Sequence, residues 1–212
     1  MRRLNDVRVV VAGAPAAVRL VLGLLIATAL EVAIVVVRPR ADLSVFPTWR
    51  LVLDLALLAL PAVLTLDLAL RPGARGSRWR RSLPAALVFT VIGAVGVALL
   101  PSAHTLHPES TLGMGVDFVP RALACFTVGG AMTLVVVGLL RWLTVSGRSP
   151  LSFLALLAAG TLVAMVGLHL HCPLTHPVHL WSGHVSVLIV ALSGGVAALW
   201  RRPGMVAAVT RR

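Results

Sequence analysis

Apolar residues fill six long stretches of the chain, and polar residues gather in the short segments between them. The stretches cover residues 17–37, 51–70, 83–100, 122–140, 151–170 and 178–200. A helix needs about 20 predominantly apolar residues to cross the hydrocarbon core of a bilayer. Groups of proline, glycine and arginine separate the stretches and mark the helix ends. The pattern therefore predicts an all-α membrane protein, a bundle of six transmembrane helices.

Composition agrees with this fold. The 212 residues are 58% hydrophobic and only 12% charged, whereas charged residues make up about a quarter of a typical soluble domain. Every loop and tail is shorter than the roughly 50 residues that an independent domain needs. We expect one six-helix domain over residues 17–200, with short tails at residues 1–16 and 201–212.

The arginines predict the orientation of the bundle. All 19 basic residues are arginines, and the net charge is +12. Six spans place both tails on one side, and fifteen arginines then lie on that side, in the tails and in the second and fourth loops. By the positive-inside rule this side is cytoplasmic, so both termini are predicted to be cytoplasmic. The basic excess is thus a topology signal, and direct nucleic-acid binding is not expected.

Histidine and cysteine show the opposite distribution. Both cysteines and all seven histidines fall in or next to the outward loops, at His104, His107, Cys125, His169, His171, Cys172, His176, His179 and His184. Two thiols from separate spans at an oxidising membrane face can form a disulfide or capture a thiophilic metal. We therefore take Cys125 and Cys172 as a candidate redox or sensing pair.

Helical spacing extends this pair to a candidate metal site. His169 and Cys172 are three residues apart and share a face of the fifth helix, whereas His171 points elsewhere. Beyond Pro173 the chain turns, and His176, His179 or His184 could return to the pair. The ligand set that we predict is Cys125, Cys172, His169 and His184. The alternative is that the histidines form an interfacial polar rim and the cysteines are small apolar residues of the helices.

Acidic residues inside the spans are costly and need a partner. Asp54 follows Arg50 by four residues and Asp67 precedes Arg71 by four, a spacing that predicts ion pairs on one helix face. Glu31 has no local partner, and we expect it to pair elsewhere in the bundle. The alternative role for Glu31 and Asp67 is ion-coupled transport.

From Arg38 onward, the order of features resembles a bacterial family, the six-span "negative regulator of sigma F" (NrsF-type) membrane anti-sigma factors. The residues that carry the likeness are Val37-Arg38-Pro39-Arg40-Ala41-Asp42-Leu43, Leu70-Arg71-Pro72-Gly73, Cys125, and the segment from Leu168-His169-Leu170-His171-Cys172-Pro173 through His179-Leu180-Trp181 and His184 to Gly194-Gly195 and Arg201-Arg202.

The resemblance implies a non-enzymatic protein of the bacterial inner membrane. Members hold an extracytoplasmic-function sigma factor inactive and release it when outward-facing cysteines, here Cys125 and Cys172, meet heavy metals or oxidants. No cofactor is expected, and a soft metal would act as the signal. The cytoplasmic candidates for binding the partner are Arg2, Arg3, Asp6, Arg8, Arg75, Arg78, Arg80 and Arg81.

Two features keep other functions open. The amino-terminal tail of about 16 residues is short for wrapping a partner, and contact with membrane lipid phosphates explains most of the arginines without one. No phosphate-binding loop, dinucleotide fingerprint or serine-nucleophile motif occurs in the chain. The alternatives are a small ion-coupled membrane transporter and a haem- or metal-binding membrane protein that uses the outward histidines.

Overall fold

The computed structural model describes residues 14–37, 39–44, 46–70, 77–100, 118–143 and 150–201, and these residues form six long helices. They are α1 (Ala16–Val37), α2 (Thr48–Leu70), α3 (Ser77–Leu99), α4 (Phe118–Leu143), α5 (Pro150–His171) and α6 (Pro177–Trp200). All six are long and apolar enough to cross a membrane, and the described residues contain no strand. The predicted all-α architecture of six long apolar helices is therefore confirmed for the described residues.

The helices begin where the sequence supplies the appropriate residues. Pro150 opens α5 and Pro177 opens α6, and proline suits the first turn because its missing N–H has no partner there in any helix. His176 precedes Pro177 and caps α6, with its Nδ1 accepting a hydrogen bond from the backbone N–H of Val178 at 3.3 Å. These residues fix where the last two spans start.

Helix α5 is the centre of the bundle and contacts each of the other five helices. Its buried face is rich in small residues, among them Ala155, Ala158, Ala159 and Ala164. Lipid tails are as apolar as the side chains, so helices in a membrane associate chiefly through close packing, which small residues permit. The composition of α5 therefore explains its central place.

A close contact between α2 and α3 depends on a proline and a glycine. Pro61 lies inside α2 and has no N–H to donate to the carbonyl of Leu57, four residues earlier. Gly93 of α3 sits against that carbonyl, so closely that a Cβ on Gly93 would overlap the Leu57 oxygen. This position suits a weak Cα–H···O contact, and only glycine leaves the space for it.

Helices α1, α3 and α5 end, and α2, α4 and α6 begin, at one end of the bundle. We call it the histidine end, because the described histidines, His169, His171, His176, His179 and His184, all lie there. The predicted ion pair of α2 is also found at this end and is confirmed. Arg50 Nε lies 2.9 Å from Asp54 Oδ1, both side chains are almost fully buried, and Arg50 also donates to the carbonyl of Val97 on α3 at 3.3 Å.

Candidate functional site: a cysteine and histidine cluster

Four side chains from three helices converge at the histidine end. They are Cys125 of α4, Cys172 directly after α5, and His179 and His184 of α6, and their ligand atoms all lie within 4.8 Å of one another. The Cys125 thiol donates a hydrogen bond to Cys172 Sγ, with 3.6 Å between the sulfurs. Nε2 of His179 lies 3.3 Å from the same Cys172 sulfur. We call these four residues the Cys/His cluster.

The two histidines reach the cluster because α6 changes its winding between them. Residues Leu180–Val185 form a π-helix, flanked by an α-turn at Pro177–His179 and the long α-segment Ser186–Trp200. In an α-helix, residues five apart point about 140° away from each other. A π-helix closes i→i+5 hydrogen bonds, so residues five apart come to nearly the same side. The π-segment therefore brings His184 to the side that His179 faces.

A glycine within the π-segment lets α6 approach α4. A Cβ added at Gly183 would lie 3.2 Å from the Cys125 Cβ and 3.2 Å from the carbonyl oxygen of Ala122. This is tighter than an ordinary contact, so a larger residue would push the two helices apart. Gly183 thus holds the cysteine of α4 close to the histidines of α6.

Arg40, in the loop between α1 and α2, secures the end of α5 beside Cys172. Its buried guanidinium donates to the backbone carbonyls of His169 at 3.2 Å and Pro173 at 3.4 Å. The carbonyls of the last helical turn have no partner within the helix, and a cation there is favourable. Asp42 pairs with the same guanidinium at 2.9 Å, and the ring of Phe46 lies 3.8 Å from it. The loop therefore ties α1 and α2 to the site.

The side chains of the cluster are largely buried within the bundle. Cys172, His179 and His184 are buried, and Cys125 is half-buried. The pKa of the Cys172 thiol is well below its ordinary value, chiefly because the Cys125 thiol donates to its sulfur and also because His179 contacts it, while burial opposes this shift. A lowered pKa favours the thiolate form, which attacks oxidants and binds metals.

Three of the four predicted metal ligands, Cys125, Cys172 and His184, meet in the cluster. The fourth, His169, lies outside it: its buried ring packs edge-on against the ring of His184, with 5.1 Å between centroids. His179 takes that place. From the sequence, His179 was one of three histidines that could return to the cysteine pair after Pro173. No α-helical spacing places His179 and His184 on the same side of a helix.

Glu31 does not form the expected pair within the described part of the chain. Its two carboxylate oxygens are buried and have no hydrogen-bond partner among the described residues. The carboxylate lies against Gly167 of α5, and the methyl group of Met132 on α4 lies against the same glycine. The expected partner for Asp67, Arg71, lies outside the described residues.

The predicted partner-binding residues are not described by the structure. Arg2, Arg3, Asp6, Arg8 and Arg75 lie outside the described residues, and the side chains of Arg78, Arg80 and Arg81 are likewise outside them. His104 and His107 also lie outside.

The chemistry of the cluster is that of a soft-ligand site: two cysteine sulfurs and two imidazoles at one end of the helix bundle. Comparison of the chain with protein-family models, curated proteins and solved structures finds no match.

Proposed function

We propose that this protein is a membrane sensor in which Cys125 and Cys172 detect thiophilic metals or oxidants, and that it acts as an inner-membrane anti-sigma factor. The observation that carries the sensor is the 3.6 Å approach of two thiols from different helices. The anti-sigma role rests on the resemblance of the sequence to the six-span regulators. The partner is then an extracytoplasmic-function sigma factor bound on the opposite face of the membrane.

Oxidation by a peroxide would join the two helices covalently. The Cys172 thiolate attacks the peroxide oxygen, which gives a sulfenic acid and, after protonation, water. The Cys125 thiol then displaces a second water from this sulfur, so the disulfide forms at the expense of one peroxide. The sulfurs must approach by about 1.5 Å to reach bonding distance, which draws α4 toward the end of α5.

Such a movement has a route to the opposite face. Cys172 follows directly on α5, and α5 contacts all five of the other helices. A shift of α5 therefore repositions several helix ends at the cytoplasmic side, where the sigma factor would be held. Charged residues of the predicted cytoplasmic segments would supply that contact, namely Arg2, Arg3, Asp6, Arg8, Arg75, Arg78, Arg80 and Arg81.

The test is sigma-dependent transcription in cells that carry Cys125→Ser, Cys172→Ser or the unchanged chain. We expect the unchanged chain to release transcription on exposure to peroxide or Cd²⁺, and each serine variant to stay repressed. His171→Asn is the control, because His171 lies at the same end but outside the cluster. A full response in both serine variants would refute the sensor, and a transcription level unaffected by deleting the whole chain would refute the anti-sigma role.

An ion-coupled carrier is the second candidate, and Glu31 favours it. A buried carboxyl without a hydrogen-bond partner in the described part of the chain is an unusual group inside a membrane. Proteoliposomes that contain the purified chain would then show ion-dependent flux that Glu31→Gln abolishes. The absence of flux in the unchanged chain would remove this candidate.

A further inference from the structure

We infer that the Cys/His cluster is a four-coordinate site for a divalent thiophilic cation of the Zn²⁺ and Cd²⁺ class, with Cys125, Cys172, His179 and His184 as the ligands. The inference rests on the proposed function in one respect only, that occupancy of the site is the signal. Binding itself needs no partner and is measured on the purified protein.

The distances between the donor atoms match tetrahedral coordination. Zinc–sulfur bonds of about 2.3 Å and zinc–nitrogen bonds of about 2.0–2.1 Å place the ligand atoms of a tetrahedron about 3.3–3.8 Å apart. The two sulfurs are 3.6 Å apart, and the sulfur of Cys172 is 3.3 Å from Nε2 of His179. With all four atoms within 4.8 Å of one another, the widest separation needs to close by about 1 Å to reach the tetrahedral range.

His184 supplies an independent indication of a ligand. Its side chain is buried, and neither ring nitrogen makes a hydrogen bond of ordinary geometry among the described residues, although the ring lies close enough to Cys172 to interact with its sulfur. A buried polar group without a partner costs free energy, and such groups in proteins call for an explanation. A cation bound by one nitrogen would give that nitrogen a partner, and the ring already lies beside the two sulfurs and His179.

Charge and coordination number select the class of ion. On metal binding the Cys125 thiol would release its proton to solvent. The two thiolates then neutralise a divalent cation, so the occupied site carries no net charge in an environment where a bare charge is expensive. Thiolate and imidazole ligands favour Zn²⁺ and Cd²⁺ over hard cations such as Mg²⁺ and Ca²⁺. Four protein ligands leave no open position for substrate. The site is therefore built to hold an ion rather than to catalyse a reaction.

His169 has a different role in this arrangement. It packs edge-on against His184, and its backbone carbonyl accepts the hydrogen bond from Arg40. We assign it to the shell around the ligands, where it orients the His184 ring. Substitutions in such a shell typically lower metal affinity by roughly 10- to 100-fold, whereas loss of a ligand should lower it further.

The experiment is titration of the purified full chain in detergent micelles under reducing conditions with Co²⁺, followed by displacement with Cd²⁺. The expected result is one Co²⁺ per chain, with the visible absorption of a tetrahedral centre and a thiolate-to-cobalt charge-transfer band. His179→Asn and His184→Asn should each lower Co²⁺ affinity by more than about 100-fold, and His169→Asn by about 10- to 100-fold. His171→Asn, at the same end of the bundle, should bind as the unchanged chain does.

Circular dichroism identifies variants that fail to fold, and either of the two histidine variants suffices if the other is lost. The inference is overturned if the unchanged chain binds no Co²⁺ and no Cd²⁺, or if both histidine variants bind like His171→Asn. Tight binding without any transcriptional response to metals would refute the proposed function and leave the site standing. A transcriptional response to peroxide in a chain that binds no metal would refute the metal site and leave the proposed function standing.

Discussion

At the scale of single residues, the ion pair between Arg50 and Asp54 can be tested for its contribution to the fold. Both side chains are buried between α2 and α3. Removing the arginine leaves a buried carboxylate without its cation, which typically costs about 3–5 kcal/mol. We predict that Arg50→Leu lowers the free energy of unfolding by that amount, measured by denaturing-detergent titration of the protein in mixed micelles.

The double variant Arg50→Leu, Asp54→Leu serves as the control for this prediction. Replacing both partners with apolar groups removes the uncompensated charge, so most of the lost stability should return. If the double variant is as unstable as Arg50→Leu alone, the contact to the Val97 carbonyl, rather than the ion pair, carries the effect.

This pair also indicates what a sequence reveals at the residue scale. The four-residue spacing between Arg50 and Asp54 was sufficient to predict it, because neighbours on one helix face are fixed by helix geometry alone. The contact of Arg40 with α5 and the surroundings of Glu31 were not predictable in that way. The carbonyl of His169 that Arg40 reaches is 129 residues away along the chain, Glu31 lies against Gly167 of α5, and both contacts depend on how the bundle packs.

At the scale of helices, the contact between α2 and α3 depends on a glycine. A methyl group at Gly93 would overlap the carbonyl of Leu57, so Gly93→Ala must move the two backbones apart. Overpacking of this kind usually costs about 1–3 kcal/mol. We predict a loss of stability in that range, measured by denaturing-detergent titration in mixed micelles.

Gly130→Ala is the matched control for that substitution. Gly130 lies within α4, and nothing approaches its added Cβ within 4 Å. The change should therefore alter stability by less than about 0.5 kcal/mol. Equal losses at the two positions would indicate a general cost of alanine in these helices rather than a close contact of α2 with α3.

The π-segment of α6 gives a second prediction at this scale. Gly183→Ala places a methyl group 3.2 Å from the Cys125 Cβ and should shift α4 by a few tenths of an ångström. We predict that Co²⁺ affinity falls by roughly 10-fold, the lower end of the effect of a residue around a metal site. Gly194→Ala on the same helix, where the added Cβ meets nothing within 4 Å, should leave affinity unchanged.

The same segment explains why the ligand set was only partly predictable. The long apolar stretches determine the six helices, because each span must satisfy its own backbone within the membrane. The π-segment adds one residue to a turn and leaves no trace in the hydrophobic pattern. The α-helical spacing of His169 and Cys172 was therefore a sound basis for predicting that both are ligands. The π-segment of α6 instead brings His179 and His184 together in the cluster, and His169 lies beside it.

At the scale of the whole molecule, the proposed sensor function depends on which side of the membrane the histidine end faces. The structure places the Cys/His cluster, Arg40 and Arg50 at one end of the bundle, and Arg19 and Arg141 at the other. The arginine count of the sequence predicts that the histidine end faces outward. An outward site meets environmental metals and oxidants directly, whereas an inward site would meet the reducing cytoplasm.

Labelling of single cysteines tests this orientation. In a Cys125→Ser, Cys172→Ser background the chain has no other thiol, and Ser44→Cys and Arg201→Cys introduce one at exposed positions of opposite ends. We predict that a membrane-impermeant maleimide labels the first variant in cells with a permeabilised outer envelope, and the second only after the inner membrane is broken. Labelling of both after lysis controls for reactivity. The reverse order would place the cluster in the cytoplasm, where the two thiols would stay reduced. That result would rule out the oxidant sensor, and metal binding would then be the explanation for the proximity of Cys125 and Cys172.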